Sequence, residues 1–204
     1  MSNEHHAQNC VTLANQLYLH QASIPVDIVQ IACRAGVQVR YDDLGSLAGY
    51  FMKLPKGSFI VCNHNHHNAR RRFTLAHELG HFLLPGTRSK NVFEVKYYSS
   101  KERLCNQFAA ALLMPESEVR LRLPLYLRQS KEETIREFAR QFDVSVEAAK
   151  IRLTQLGIIQ RANANDYNDL QMVYAAAQTL PEECRLIATE QLSDFVEETK
   201  LLSL

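Results

Sequence analysis

The chain has 204 residues, 46% of them hydrophobic and 22% charged, with a formal net charge of +1. That length supports one well-formed core, or a core with a small appended module. A charge so near zero excludes a strong overall field for nucleic acid or membrane and leaves only local patches to recognise them.

The start, MSNEHHAQNC, has no basic segment leading into an apolar one, and no later stretch stays apolar long enough to span a bilayer. A cytoplasmic protein with no membrane partner is expected. Cys10, Cys33, Cys62, Cys105 and Cys184 are odd in number and scattered, with no CxxC pair. Neither a disulfide framework nor a thiolate zinc cluster is suggested.

Asn3 to Gln21 reads as a helix. A second opens at Pro25 and closes at Gly36, with proline near its first turn and glycine just past its end. Three strand-like runs follow, Val37 to Tyr41, Ala48 to Lys53 and Ser58 to Asn63, separated by the turn sequences DDLG and LPKG. They predict a small antiparallel sheet. The next helix carries RRRFTLAHELGHFLLPG, Arg70 to Gly86, and is stopped by Pro85-Gly86. A polar link leads to a helix from Lys101 to Met114, stopped by Pro115.

After the LRLPLYLRQS stretch, Ser130 and Glu133 make a capping box, and Ile135, Phe138, Ala139 and Phe142 line one helical face. Asp143-Val144-Ser145 breaks that helix, and Val146, Ala149, Leu153 and Leu156 begin another face. From about Asn163 two amphipathic helices are expected, split by Pro181. The layout implied is a main domain over 1–125, a helical module over 126–161 and C-terminal helices over 162–204.

The chemistry lies in the HExxH of the third helix. Residues i and i+4 share a helical face, so His77 and His81 can direct their imidazoles at one metal ion. Glu78 is turned about a quarter-turn from His77, which sets its carboxylate beside the ion as a general base for an attacking water. Phe73, Leu75, Ala76, Leu79, Phe82, Leu83 and Leu84 make this helix apolar almost all round, the pattern of a buried helix. Gly80 costs about 1 kcal/mol against alanine in a helix interior. Its presence implies that another backbone packs closely there.

A catalytic zinc site takes three protein ligands and keeps a fourth position open. Glu94 and the upstream His64, His66 and His67 are candidates for the third. Glu102 is favoured by position, one turn from Cys105 and Asn106 and two from Ala109, a small-residue face that would let its helix approach Gly80. Leu104, Phe108, Ala111 and Leu112 on the opposing face can enter the core. Glu102 also fits a capping box with Ser99, in which it would bond only a backbone amide. Spacing leaves these readings open.

RRRFTLAHELGHFLL (Arg70 to Leu84) and ERLCNQFAAALLMP (Glu102 to Pro115) together resemble the ImmA/IrrE family of zinc metallopeptidases. With VCNHNHHNA before them, the likeness covers about Val61 to Pro115, and the upstream helix pair and strands fit the family's layout. The resemblance implies an α+β fold: a mostly helical zincin-like metallopeptidase domain with a small antiparallel sheet, followed by a helix-turn-helix-like module. It implies that Glu102 is the third zinc ligand beside His77 and His81, with Glu78 as the base. It also implies a protein substrate, a helix-turn-helix transcriptional repressor cut to release stress, mobile-element or defence genes. The group that polarises the scissile carbonyl stays unassigned, with Tyr97, Tyr98 and His67 as candidates.

KEETIREFARQFDVSVEAAKIRLTQLGII resembles a helix-turn-helix. Lys131, Arg136, Arg140, Lys150, Arg152 and Arg161 are nearly cancelled by Glu132, Glu133, Glu137, Asp143 and Glu147. DNA readers carry a clearer basic footprint, so packing or partner docking is preferred to direct DNA binding. The alternative is a DNA-binding regulator with a structural or vestigial zinc site. Arg70, Arg71 and Arg72, near a helix N-terminus that disfavours positive charge, are expected to pair with carboxylates or face solvent.

Overall fold

The computed structural model describes residues 3–20, 23–84, 100–123 and 130–159. Glu94, Tyr97, Tyr98, Ser99 and the helices expected after Asn163 lie outside the described residues. The chain divides into two compact units, Met1–Pro115 with Arg140–Ser145, and Glu116–Ala139 with Val146–Leu204.

In the first unit, helix α1 (Asn3–Leu19) and α2 (Ile28–Arg34) precede three strands, β1 (Val37–Asp42), β2 (Gly49–Leu54) and β3 (Gly57–Asn63). Helices α3 (Asn68–Leu83) and α4 (Ser100–Leu113) follow. α2 starts later than proline alone suggested. Its N-cap is Asp27, whose carboxylate accepts the Gln30 N–H at 3.0 Å, so Pro25 lies outside the helix.

The sheet corrects one expectation, for it is mixed rather than antiparallel. Its strand order is β1-β3-β2, with β1 parallel and β2 antiparallel to β3. β2 and β3 form the hairpin that LPKG predicts, with Leu54 paired to Gly57. DDLG, however, is not a hairpin turn, because the link from Asp43 to Ala48 crosses the end of β3. Asn63 holds it there: its Nδ2 donates to the carbonyls of Gly45 and Leu47, each at 2.9 Å, and its N–H donates to Ala48. The His64 N–H closes the other side by donating to Asp42. The buried Asn63 thereby satisfies backbone groups that a crossing loop would otherwise leave without partners.

One face of the sheet, carrying Gly49, Phe51, Ile60 and Cys62, is covered by α3; α4 packs on α3 and α1 packs on α4. Cys10, Ala14 and Tyr18 of α1 are buried, as are Phe108, Ala111 and Leu112 of α4. α3 is buried on one face rather than all round: Leu75, Ala76, Leu79 and Gly80 are inside, while Phe73, Phe82 and Leu83 are half-buried. A Cβ on Gly49 would stand 2.6 Å from Thr74 Cγ2 and 2.8 Å from the Val61 carbonyl. β2 and α3 therefore approach more closely there than any side chain allows.

The turn at Asp143 belongs to this unit and packs on the start of α3. Arg72 Nε donates to the Asp143 carbonyl at 3.0 Å and lies 3.3 Å from its carboxylate, and Arg72 also donates to the Phe142 carbonyl. Asn68 donates to the same carboxylate at 2.5 Å. Asp143 has φ 51, a left-handed conformation that aspartate tolerates better than most residues. Of the three arginines, Arg72 thus pairs with a carboxylate, Arg71 stands over the Tyr41 ring at 5.6 Å and Arg70 is exposed.

The second unit contains α5 (Glu116–Arg122), most of α6 (Lys131–Phe142) and α7 (Val146–Gln155). The capping box forms, with Ser130 N–H donating to Glu133 at 3.0 Å and the Glu133 N–H to Ser130 Oγ at 3.3 Å. Ile135, Phe138, Ala139, Ala149 and Leu153 are buried as their spacing predicts. Val146 departs from that pattern and is 51% exposed. Among the described residues no helix is long and apolar enough to cross a membrane.

Candidate metal centre

α3 and α4 cross at Gly80. A Cβ there would lie 3.2 Å from Phe108 Cδ1 and 3.3 Å from the Cα of Cys105, so the backbone of α4 meets the glycine at Cys105 as expected, while the Phe108 ring, expected on the opposing face, also rests on it. This close approach sets Glu102, at the start of α4, against the two histidines. His77 Nε2 lies 3.1 Å from Glu102 Oε2 and 3.1 Å from His81 Nε2, and His81 Nε2 lies 3.3 Å from Glu102 Oε1. Both carboxylate oxygens of Glu102 thus point at imidazoles. Among the described residues, this is the trio of His, Cys, Asp or Glu whose donor atoms converge as a metal site requires.

The separations have a chemical meaning. Donors bonded tetrahedrally to zinc at about 2.0–2.1 Å are about 3.3–3.4 Å from one another. The two imidazole nitrogens are 3.1 Å apart, close to that edge length, and Glu102 reaches them with separate oxygens, Oε2 toward His77 and Oε1 toward His81. Two imidazole nitrogens and a carboxylate oxygen facing one point form a donor set suited to a divalent cation. The side chains are 12 to 30% exposed, enough for a ligand to reach them from one side.

Glu78 faces the sheet side of the same site. Burial pushes its carboxyl up to about 7, against the lowering influence of His81 and of a hydrogen bond accepted from the Phe51 N–H, while Glu102 raises it further. Phe51 belongs to β2, an edge strand among the described residues, and its ring meets Phe82 of α3 at 5.4 Å. Burial also holds the His77 imidazole below its usual pKa, and His81 adds to the effect. The thiol of Cys62, buried behind Glu78, is pushed up to about 12 by desolvation and then by the Glu78 charge, and is unreactive as a thiolate.

Two participants escaped sequence reasoning. Asn106 Oδ1 lies 2.9 Å from His77 Nδ1, and its only sequence signal is its place one turn after Glu102. The Phe51 backbone donor carries no sequence signal at all. The upstream histidines are not brought to the site: His64, His66 and His67 occupy the link before α3, and His67 is its N-cap. Helix geometry sets His67 about 15 Å along the axis from His77, which removes it as an oxyanion donor there.

Residues 32–154 match the peptidase M78 family, the IrrE N-terminal-like domain. The chain belongs to the IrrE N-terminal-like family. The match spans β1 to β3, α3 and α4, and so includes every residue of the converging trio. The chain is also similar to the radiation response metalloprotease IrrE of Deinococcus radiodurans, 32% identical over 126 residues. That alignment takes in 59% of this chain and 37% of the relative, so the chain spans little more than a third of the IrrE protein it matches.

Proposed function

We propose that this IrrE-like chain is a zinc-dependent endopeptidase of the cytoplasm that cuts a regulatory protein, a helix-turn-helix transcriptional repressor, and so derepresses stress, mobile-element or defence genes. The observation that carries the reading is the convergence of His77, His81 and Glu102 beside the buried Glu78. In this reading the trio holds the metal. When bound, zinc acidifies a water and polarises the scissile carbonyl. Glu78, steadied by the Phe51 N–H, takes the proton from the attacking water as its oxygen joins the carbonyl carbon. It then delivers that proton to the amide nitrogen as the C–N bond breaks.

The edge strand β2 suits an extended peptide. In an antiparallel ladder alternate residues turn their backbone groups away from the partner strand, and Phe51 does so toward Glu78. A substrate segment laid along this edge would bring its carbonyls past the trio. The repressor as substrate rests on the resemblance, and the radiation response in the relative's name supports a regulatory target.

The DNA-binding alternative needs a basic outer face on α7. The exposed positions there are Val146, Glu147, Lys150, Ile151 and Gln155, while Arg152 is buried. That face carries too little positive charge to track phosphates.

The test is co-expression with a helix-turn-helix repressor encoded beside this protein, with the stress signal applied and the repressor followed by immunoblot. Glu78→Gln keeps the shape and removes the base, which contributes about a hundred- to ten-thousand-fold. Cleavage by the unaltered chain and none by the variant is expected. Equal cleavage by both would transfer the activity to another protease and favour the DNA-binding reading.

A further inference from the structure

α4 grips both nitrogens of a single imidazole. Glu102 and Asn106 are one helical turn apart on one face; Glu102 Oε2 lies 3.1 Å from His77 Nε2, and Asn106 Oδ1 lies 2.9 Å from His77 Nδ1. A neutral imidazole has one N–H and one lone pair, and the hydrogen bond made by one nitrogen decides the state of the other. An amide oxygen can only accept, so a bond at Nδ1 requires the proton to be there. Glu102 Oε2 at Nε2 is an acceptor too, so the two oxygens compete for the ring proton; a cation bound at Nε2 needs the lone pair there and puts the proton on Nδ1, where Asn106 accepts it.

We propose that Asn106 is a positioning residue of the metal centre: its Oδ1 accepts the Nδ1–H of His77 and holds that ring as the tautomer whose Nε2 can ligate. The inference rests on the metal-binding reading above and deepens it. Three features make the role specific. Asn106 is half-buried in the α3–α4 contact, where bulk water competes poorly for Nδ1. The ring edge it holds is opposite the converging donors, so the bond orients the ring and does not block it. Its amide is neutral, so it orients the ring without adding negative charge, and Glu102 remains the one anion of the trio. Because Asn106 and Glu102 share a helix, a shift of α4 would loosen a ligand and a ligand's support together.

The amide could act otherwise only by turning its NH2 toward Nδ1, which would put the ring proton on Nε2. That arrangement leaves no lone pair at Nε2 for a metal, so the zinc-loaded chain distinguishes the two. Its nitrogen-15 imidazole spectra should show His77 with a hydrogen-bonded, slowly exchanging Nδ1–H. Asn106→Leu, similar in shape but without an acceptor, should leave that proton in fast exchange with water. Chelator competition should then show zinc weakened about 10- to 100-fold in Asn106→Leu, the usual effect of removing such a partner. Asn106→Asp, which keeps the acceptor, should restore affinity to near the original value. An Nδ1–H that exchanges as fast in the zinc-loaded unaltered chain as in Asn106→Leu would overturn the proposal. Zinc lost by His77→Ala but held equally by Asn106→Leu would overturn it alone. Zinc held by His77→Ala as tightly as by the unaltered chain would overturn the metal reading and this inference with it.

Discussion

The α3–α4 pair and the α6–α7 segment both read as functional motifs in the sequence, yet they treat their polar groups in opposite ways. Across α3 and α4, His77, His81, Glu102 and Asn106 turn toward one another within an apolar contact, and their donor atoms meet at hydrogen-bond distance. Along α6 and α7 the charged groups Glu133, Glu147 and Lys150 face outward, Arg152 is the buried exception, and the buried apolar positions include Ile135, Phe138, Ala149 and Leu153. Polar groups that share a desolvated volume must find one another or a ligand. Polar groups in water need no partner, and their pattern there reports only which face is buried.

The turn joining α6 to α7 offers the strongest way to break this contrast. It is fastened to α3 through Arg72, whose side chain is 14% exposed against 37% for Asp143. Arg72→Ala removes charged hydrogen bonds to two backbone carbonyls. A loss of about 1–2 kcal/mol is expected, the ionic part being screened by the exposure of Asp143. Denaturant melts should show it while zinc stoichiometry stays the same. Loss of zinc in this variant would mean that the turn belongs to the chemistry of α3 and not only to its packing.

A smaller change sharpens the other side. Gly80→Ala inserts a methyl 3.2 Å from Phe108 and 3.3 Å from Cys105 Cα. Overpacking costs roughly 1–3 kcal/mol, and better helix propensity returns about 1. Stability should therefore fall by at most about 2 kcal/mol, yet zinc affinity should fall severalfold, because Glu102 moves with α4. Titration with a chelator checks this, and unchanged affinity would show that the crossing does not set the site.

The smallest effect is expected at Lys150, exposed on α7. Lys150→Ala should alter stability by no more than about 0.5 kcal/mol and leave retention on duplex DNA as it was. A salt-sensitive loss of DNA retention would give α7 the role that its surface argues against.

Local signals made much of this legible. The strands begin and end within a residue of their alternating runs, because LPKG and the flanking polar residues interrupt the apolar pattern. Gly80 announced a close backbone approach, since glycine is costly in a helix unless something needs the space. The long-range features were not legible. No local rule tells DDLG to cross the end of β3, and the responsible contacts come from Asn63, far along the chain. The Phe51 N–H that meets Glu78 is a backbone group common to nearly every residue type. Arg72 finds Asp143 across 71 positions of sequence, a pairing that only the folded chain creates.

Metal content tests the central claim most directly. The purified chain should carry about one zinc ion, the content of a mononuclear three-ligand site. His77→Ala and Glu102→Ala each remove a ligand and should empty it while circular dichroism reports intact helices. A Glu102→Ala protein that binds zinc as tightly as the unaltered chain and merely melts slightly earlier would return Glu102 to a capping role. Zinc unchanged in both variants would contradict the account of the site as a whole.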